Sequence, residues 1–179
     1  MSDVYAEFLD YKFTVTFQNE ENSASVEYTV KELEAMDEIR GRDFYTVLDM
    51  GECEGVDLWK LVKRTANGKV DLSNPISVTA VAEDGFTCDL LAKVYMTGLE
   101  NGVENENGDT KKVIISNAQN GYPLVNDMNH EGYTGLAGGA GGNAYGPCRT
   151  VVESAQGASL KCTNQIIVTL TGSDPIDLK

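Results

Sequence analysis

Phe13, Val15 and Phe17 alternate with Thr14 and Thr16, the period of two expected of a half-buried strand. A polar turn over Gln18 to Ser23 leads to a second alternating run, Ala24 to Tyr28, so this region predicts a hairpin. Thr29 and Glu32 then make T-x-x-E ahead of Val30, Leu33 and Met36. Such a capping box predicts a helix of about two turns, ending near Asp37. Asp43 to Asp49 is strand-like. Gly55 to Val62 changes to helical spacing, with Leu58, Leu61 and Val62 on one face and Asn67-Gly68 as the stop.

Ile76 to Ala82 predicts a strand, Asp84-Gly85 a hairpin turn and Phe86 to Leu90 the return strand. Leu91 to Leu99 fits a helix and an extended segment equally. Glu100 to Thr110 is polar, carries Asn101-Gly102 and Asn107-Gly108, and reads as a long hairpin-type loop. Lys112 to Ser116 predicts a strand and Asn120 to Leu124 a turn. Residues 126–146 read as loop, glycine-rich over 138–142, before two last strands, Arg149 to Glu153 and Gln165 to Leu170. Strands outnumber helices and no fixed period repeats. The pattern predicts an α+β fold, mostly antiparallel β-sheet with a few short helices.

A chain of 179 residues fits one domain spanning 1–179 and can bury a real core. The apolar runs are strand-sized, so membrane insertion is not expected. The formal net charge is -14 and the basic residues form no stripe. Nucleic acid and anionic lipid repel such a surface, which excludes nucleic acid as a partner and reads as a solvated acidic exterior. The N-terminus has no basic flank and no apolar run, so no signal peptide is visible. That fits a soluble chain and equally a mature domain of an exported protein, which leaves the compartment open.

Cys53, Cys88, Cys148 and Cys162 are widely spaced and include no C-x-x-C, and His130 is the single histidine. A zinc site would need ligands from distant segments. Buried free thiols are the default reading, with a Cys148–Cys162 disulfide across a Gly157-containing turn as the alternative. Gly139 to Ala144 satisfies G-x-G-x-x-A but has no strand before it and no room for a helix after it, so it reads as a glycine loop. The acidic stretch Glu104 to Asp109 lacks a first-position oxygen for a calcium loop and reads as solvated. No G-x-S-x-G is present, and His130 has no orienting partner in sequence.

The order of elements carries more than any single motif. The T-V-K-E-L-E-A-M helix precedes Gly55-Val56-Asp57-Leu58-Trp59-Lys60-Leu61-Val62, a strand running into Glu83-Asp84-Gly85-Phe86, and Asn120-Gly121-Tyr122-Pro123-Leu124. Then come a glycine-rich loop, Gly146-Pro147-Cys148-Arg149-Thr150, and Leu160-Lys161-Cys162 running into Ile166-Ile167-Val168. From residue 28 to 170 this series resembles the molybdopterin-binding domain of sulfite oxidase and assimilatory nitrate reductase, an oxidoreductase family. Its members carry a G-V-x-L-x-x-L-L helix, a D-G-[YF] hairpin, an N-G-x-P-L turn, and a G-G-P-x-R strand followed by a lysine-containing strand.

The resemblance implies a molybdopterin cofactor, oxygen-atom transfer at molybdenum and a redox partner protein. It puts Arg149 and Gly146 at the cofactor and Cys53 at the metal, and names no catalytic residue. In the residues themselves Gly55 and Gly85 read as tight turns and Trp59 as a buried anchor. A guanidinium at Arg149 fits a bidentate grip on a small anionic ligand and equally an intramolecular ion pair. The chain departs from the family at the metal. The only cysteine ahead of the helix, Cys53, is flanked by Glu52 and Glu54, which raise a thiol pKa. A noncatalytic binding or interaction module of the same fold, once part of a larger exported bacterial protein, is the alternative.

Overall fold

A computed structural model describes residues 9–124 and 146–179. Strands β1 (Lys12–Gln18) and β2 (Ser23–Thr29) form the predicted hairpin, with Val15 opposite Val26. Phe13, Val15 and Phe17 all point into the core, as their alternation requires. Thr29 caps α1 (Val30–Glu34): its hydroxyl accepts from the Glu32 N–H while the Glu32 carboxylate accepts from the Thr29 N–H. The helix ends at Glu34, short of Asp37, and a single 3-10 turn over Asp37–Ile39 takes the chain to the next strand.

The strand expected over Asp43 to Asp49 lies earlier. It is β3 (Arg40–Tyr45), paired with β4 (Gly51–Asp57), and Val47–Asp49 is a 3-10 turn between them. Gly55 to Asp57, expected to be helical, is strand as well. Their backbone pairs with Ser116 to Ile114, and that non-local ladder outweighs the local spacing. α2 (Leu58–Ala66) starts after Asp57, whose carboxylate accepts from the Lys60 N–H, and stops at left-handed Asn67. Gly55 is therefore no tight turn. A Cβ there would lie 2.0 Å from the Ile115 carbonyl oxygen, so glycine is needed for strands to approach.

Gly85 does turn the chain, at φ +88, between β5 (Ser77–Ala82) and a short β6 (Thr87–Asp89). The ambiguous stretch is α3 (Leu90–Asn101), broken at Tyr95 by φ 61 and ψ 175. A two-stranded hairpin, β7 (Val103–Glu104) with β8 (Thr110–Lys111), spans the polar loop. The acidic stretch inside it is not simply solvated: buried Asn105 accepts from the Asn107 and Asp109 N–H groups and closes the turn. Then come β9 (Ile114–Gln119), β10 (Tyr122–Pro123), β11 (Arg149–Val151) and β12 (Thr163–Thr169).

The fold is α+β with mostly antiparallel sheets. One five-stranded sheet runs β2-β1-β12-β5-β6, with β1 and β12 its parallel pair. The second runs β10-β9-β4-β3, and β11 joins β9 beside β10. The larger core lies with the first sheet and the helices, and Trp59 is buried in it as expected. A smaller cluster, Tyr45, Val47, Met50, Cys53, Ile114 and Val151, lies between the second sheet and the Val47–Asp49 turn. No described helix is long and apolar enough to cross a membrane. The glycine motif over 139–144, His130 and most of the loop expected over 126–146 lie outside the described residues.

Candidate functional site

A cleft of about 760 Å³ is lined by residues from both sheets and the turns next to them. Its floor is set by strand pairing. Arg149, Thr150 and Val151 lie opposite Ser116, Ile115 and Ile114 of β9. Val151 falls in the smaller cluster, and alternation puts Arg149 on that same side, lining the cleft at 5% exposure. Its Nη2 donates to the Ser159 carbonyl at 3.1 Å. Gln119 lines the same cleft and is held by donating from Nε2 to the Met50 carbonyl at 3.0 Å.

One lip of the cleft is Leu48, Asp49 and Met50; Leu48 and Asp49 take φ 53 and 52, a conformation few non-glycine residues adopt. The β5–β6 turn lines the cleft as well, with Asp84 and Phe86, and Leu160 and Lys161 complete the wall. Glu153 holds the first lip. Its buried carboxylate accepts from the Val47 N–H at 2.8 Å, from the Thr46 hydroxyl at 2.9 Å, and from the Thr46 N–H at 3.1 Å. The Asn105 amide donates to its other oxygen at 3.3 Å. Burial pushes this carboxyl up, but these donors outweigh it and hold it below the ordinary carboxylate range.

The residues expected at the site separate. Arg149 lines the cleft. Cys53 lies outside its lining, fully buried in the smaller cluster, although the Arg149 charge still reaches its sulfur. Burial pushes the Cys53 thiol up to about 12, with Glu153 and Glu52 adding to the rise against the lowering by Arg149. Such a group is a thiol at neutral pH while no metal is bound. Fully buried and outside the cleft lining, Cys53 is not placed to ligate a metal held in the cleft. The described residues contain no group of three or more His, Cys, Asp or Glu that could hold a metal ion.

Gly146 packs against Leu124, where a Cβ would come within 2.4 Å of the Leu124 Cβ, so its glycine serves packing next to β11. The four cysteines are free thiols: Cys148 is buried in the main core and Cys162 is half-buried, with no bridge between them. Burial pushes Cys148 up to about 12 as well.

Leu48, Met50, Gln119, Lys161 and Glu153 were not legible as site residues from spacing. Lys161 alone had a signal, as the lysine ahead of the last strand. Comparison with family models and with curated proteins finds no match to this chain. The architecture defines an α+β domain with a cleft lined from both sheets, and no finer class is fixed by relatives.

Proposed function

We propose that this chain is a ligand-binding domain of the molybdopterin-domain type whose cleft holds a small anion on Arg149, without oxygen-atom-transfer chemistry. One observation carries the reading: a guanidinium 5% exposed lines the floor of a cleft of about 760 Å³. A guanidinium lining a cleft of ligand size is placed to meet an oxyanion there. Its planar fork suits a carboxylate or another oxyanion. The net charge of -14 makes this the more notable, because the rest of the surface repels anions.

The order of helix, D-G-F turn, N-G-Y-P-L turn and G-P-C-R strand supports the family type. Cys53, fully buried outside the cleft lining, favours the binding module over the oxidoreductase. Calorimetry with sodium acetate and sodium sulfate tests the reading, alongside molybdenum measured by mass spectrometry after expression in a molybdate-replete host. Saturable anion binding that is lost in Arg149→Met, in a variant retaining its circular dichroism spectrum, is the expected result. Stoichiometric molybdenum that disappears in Cys53→Ser would overturn it in favour of the oxidoreductase. Anion binding unchanged in Arg149→Met would overturn it outright.

A further inference from the structure

We infer that the cleft selects an amphipathic monoanion, an aromatic carboxylate, over phosphorylated or multiply charged ligands. The inference rests on the reading of the cleft as an anion site and names what that anion is attached to.

The first support is where apolar surface is left exposed. Among the described residues the large exposed hydrophobics are Phe44, Leu48, Ile76, Phe86 and Tyr95, and two of them, Leu48 and Phe86, line this cleft. Phe86 is 61% exposed and Leu48 45% exposed. Each is presented by a tight turn: Phe86 follows Gly85, whose N–H donates to the Ala82 carbonyl at 2.9 Å, and Leu48 sits in the left-handed turn that Glu153 anchors. Met50, Ala82 and Leu160 continue the apolar lining inward. Exposed apolar groups on two turns that line one cleft offer surface for an apolar body, and a ring stacked on Phe86 gains from both burial and ring geometry.

The second support is charge. Among the described lining residues Arg149 and Lys161 are the cations, and Asp49 and Asp84 the anions, one on each of the two turns. A carboxylate reaching Arg149 meets one buried guanidinium, with its apolar end left to Leu48 and Phe86. A phosphate monoester or diphosphate brings added negative charge into a cleft that Asp49 and Asp84 also line, with Lys161 the one further described cation to offset it. Like charges lining the cleft discriminate against such ligands by repulsion, independently of any attraction for the right one. A phosphorylated pterin falls in the disfavoured class.

Calorimetry of the whole chain with 2-naphthoate, acetate, inorganic phosphate and ADP decides the point. The expected result is 2-naphthoate binding at least tenfold tighter than acetate, and phosphate and ADP weaker than 2-naphthoate by a similar factor. Phe86→Ala, at an exposed position, should weaken 2-naphthoate about tenfold and acetate much less. Asp49→Asn keeps a residue tolerant of positive φ and should strengthen phosphate and ADP. Phosphate or ADP binding as tightly as 2-naphthoate, still dependent on Arg149, would overturn the selectivity while leaving the anion site standing. Unchanged 2-naphthoate affinity in Phe86→Ala would likewise overturn it. Failure of every anion to bind would remove the anion site itself and this inference with it.

Discussion

Replacing Glu153 by glutamine changes one oxygen to an NH2 and leaves the shape of the side chain intact. Oε1 accepts from the Thr46 N–H at 3.1 Å, the Thr46 hydroxyl at 2.9 Å and the Val47 N–H at 2.8 Å. Oε2 accepts from the Thr46 N–H at 3.1 Å and the Asn105 amide at 3.3 Å. If glutamine keeps its oxygen toward Thr46 and Val47, its new NH2 faces the Asn105 NH2. Asn105 cannot rotate to present its oxygen, because that oxygen already accepts from the Asn107 and Asp109 N–H groups.

The variant therefore loses the charge on three or four hydrogen bonds and sets two donors against each other in a buried place. Hydrogen bonds to a charged group contribute about 1.5–3 kcal/mol, and an unsatisfied buried donor costs about 1–3 kcal/mol. A total loss of roughly 3 kcal/mol follows on the same scale. Urea unfolding followed by tryptophan fluorescence measures it as a fall in midpoint at constant slope. pH supplies the sharper check. A folded pKa held below the unfolded value, about 4.3 for a glutamate, gives stability that is complete above the unfolded value. It is lost as pH falls through the lower folded value. The gap between wild type and Glu153→Gln should be full at neutral pH and shrink below about pH 4. A gap under about 0.5 kcal/mol at neutral pH, the ordinary scatter of surface substitutions, would refute the account of Glu153 as the anchor of the lip. So would a gap that widens on acidification.

Gly55→Ala should be far worse than Gly85→Ala. The first drives a Cβ to 2.0 Å from the Ile115 carbonyl and costs about 3 kcal/mol or more by overpacking. The second meets open space and costs about 1 kcal/mol, from its φ of +88 alone; thermal melts rank them. Thr29→Ala breaks the capping box of α1 and should cost about 1 kcal/mol in urea unfolding. Cys53 and Cys148, both fully buried with thiols pushed up to about 12, should resist iodoacetamide at pH 8 in the native protein. Half-buried Cys162 should label first, and all should label in urea; peptide mass spectrometry reads the order.

The N-terminal hairpin and the cap of α1 were legible because their signals are local. Phe13, Val15 and Phe17 need only alternate, and Thr29 and Glu32 need only be three residues apart. The β4–α2 boundary was not legible for the opposite reason. Val56 is buried from a strand and Leu58 from a helix, so one apolar run serves two geometries. What separates them is the pairing of Gly55 with Ser116, a contact no local window contains. Glu153 was invisible for the same cause: its donors at Thr46, Val47 and Asn105 stand 107, 106 and 48 residues away. Cys53 read as a poor ligand from its acidic neighbours; burial is the larger effect, and composition around it could not show that.

Arg149 was singled out by residue type, but its place in the cleft is a consequence of register. The pairs Arg149–Ser116 and Val151–Ile114 put both residues on the side of the smaller cluster. Sliding β11 by one residue would turn Thr150 into the cleft and Arg149 toward the main core, where a guanidinium is far more costly. Glu153, two residues beyond the strand, would lose Thr46 and Val47 in the same step. Cleft floor and cleft lip are thus fixed by one pairing, so a change that loosens the β9–β11 ladder should disturb anion binding and the stability of the Val47–Asp49 turn together.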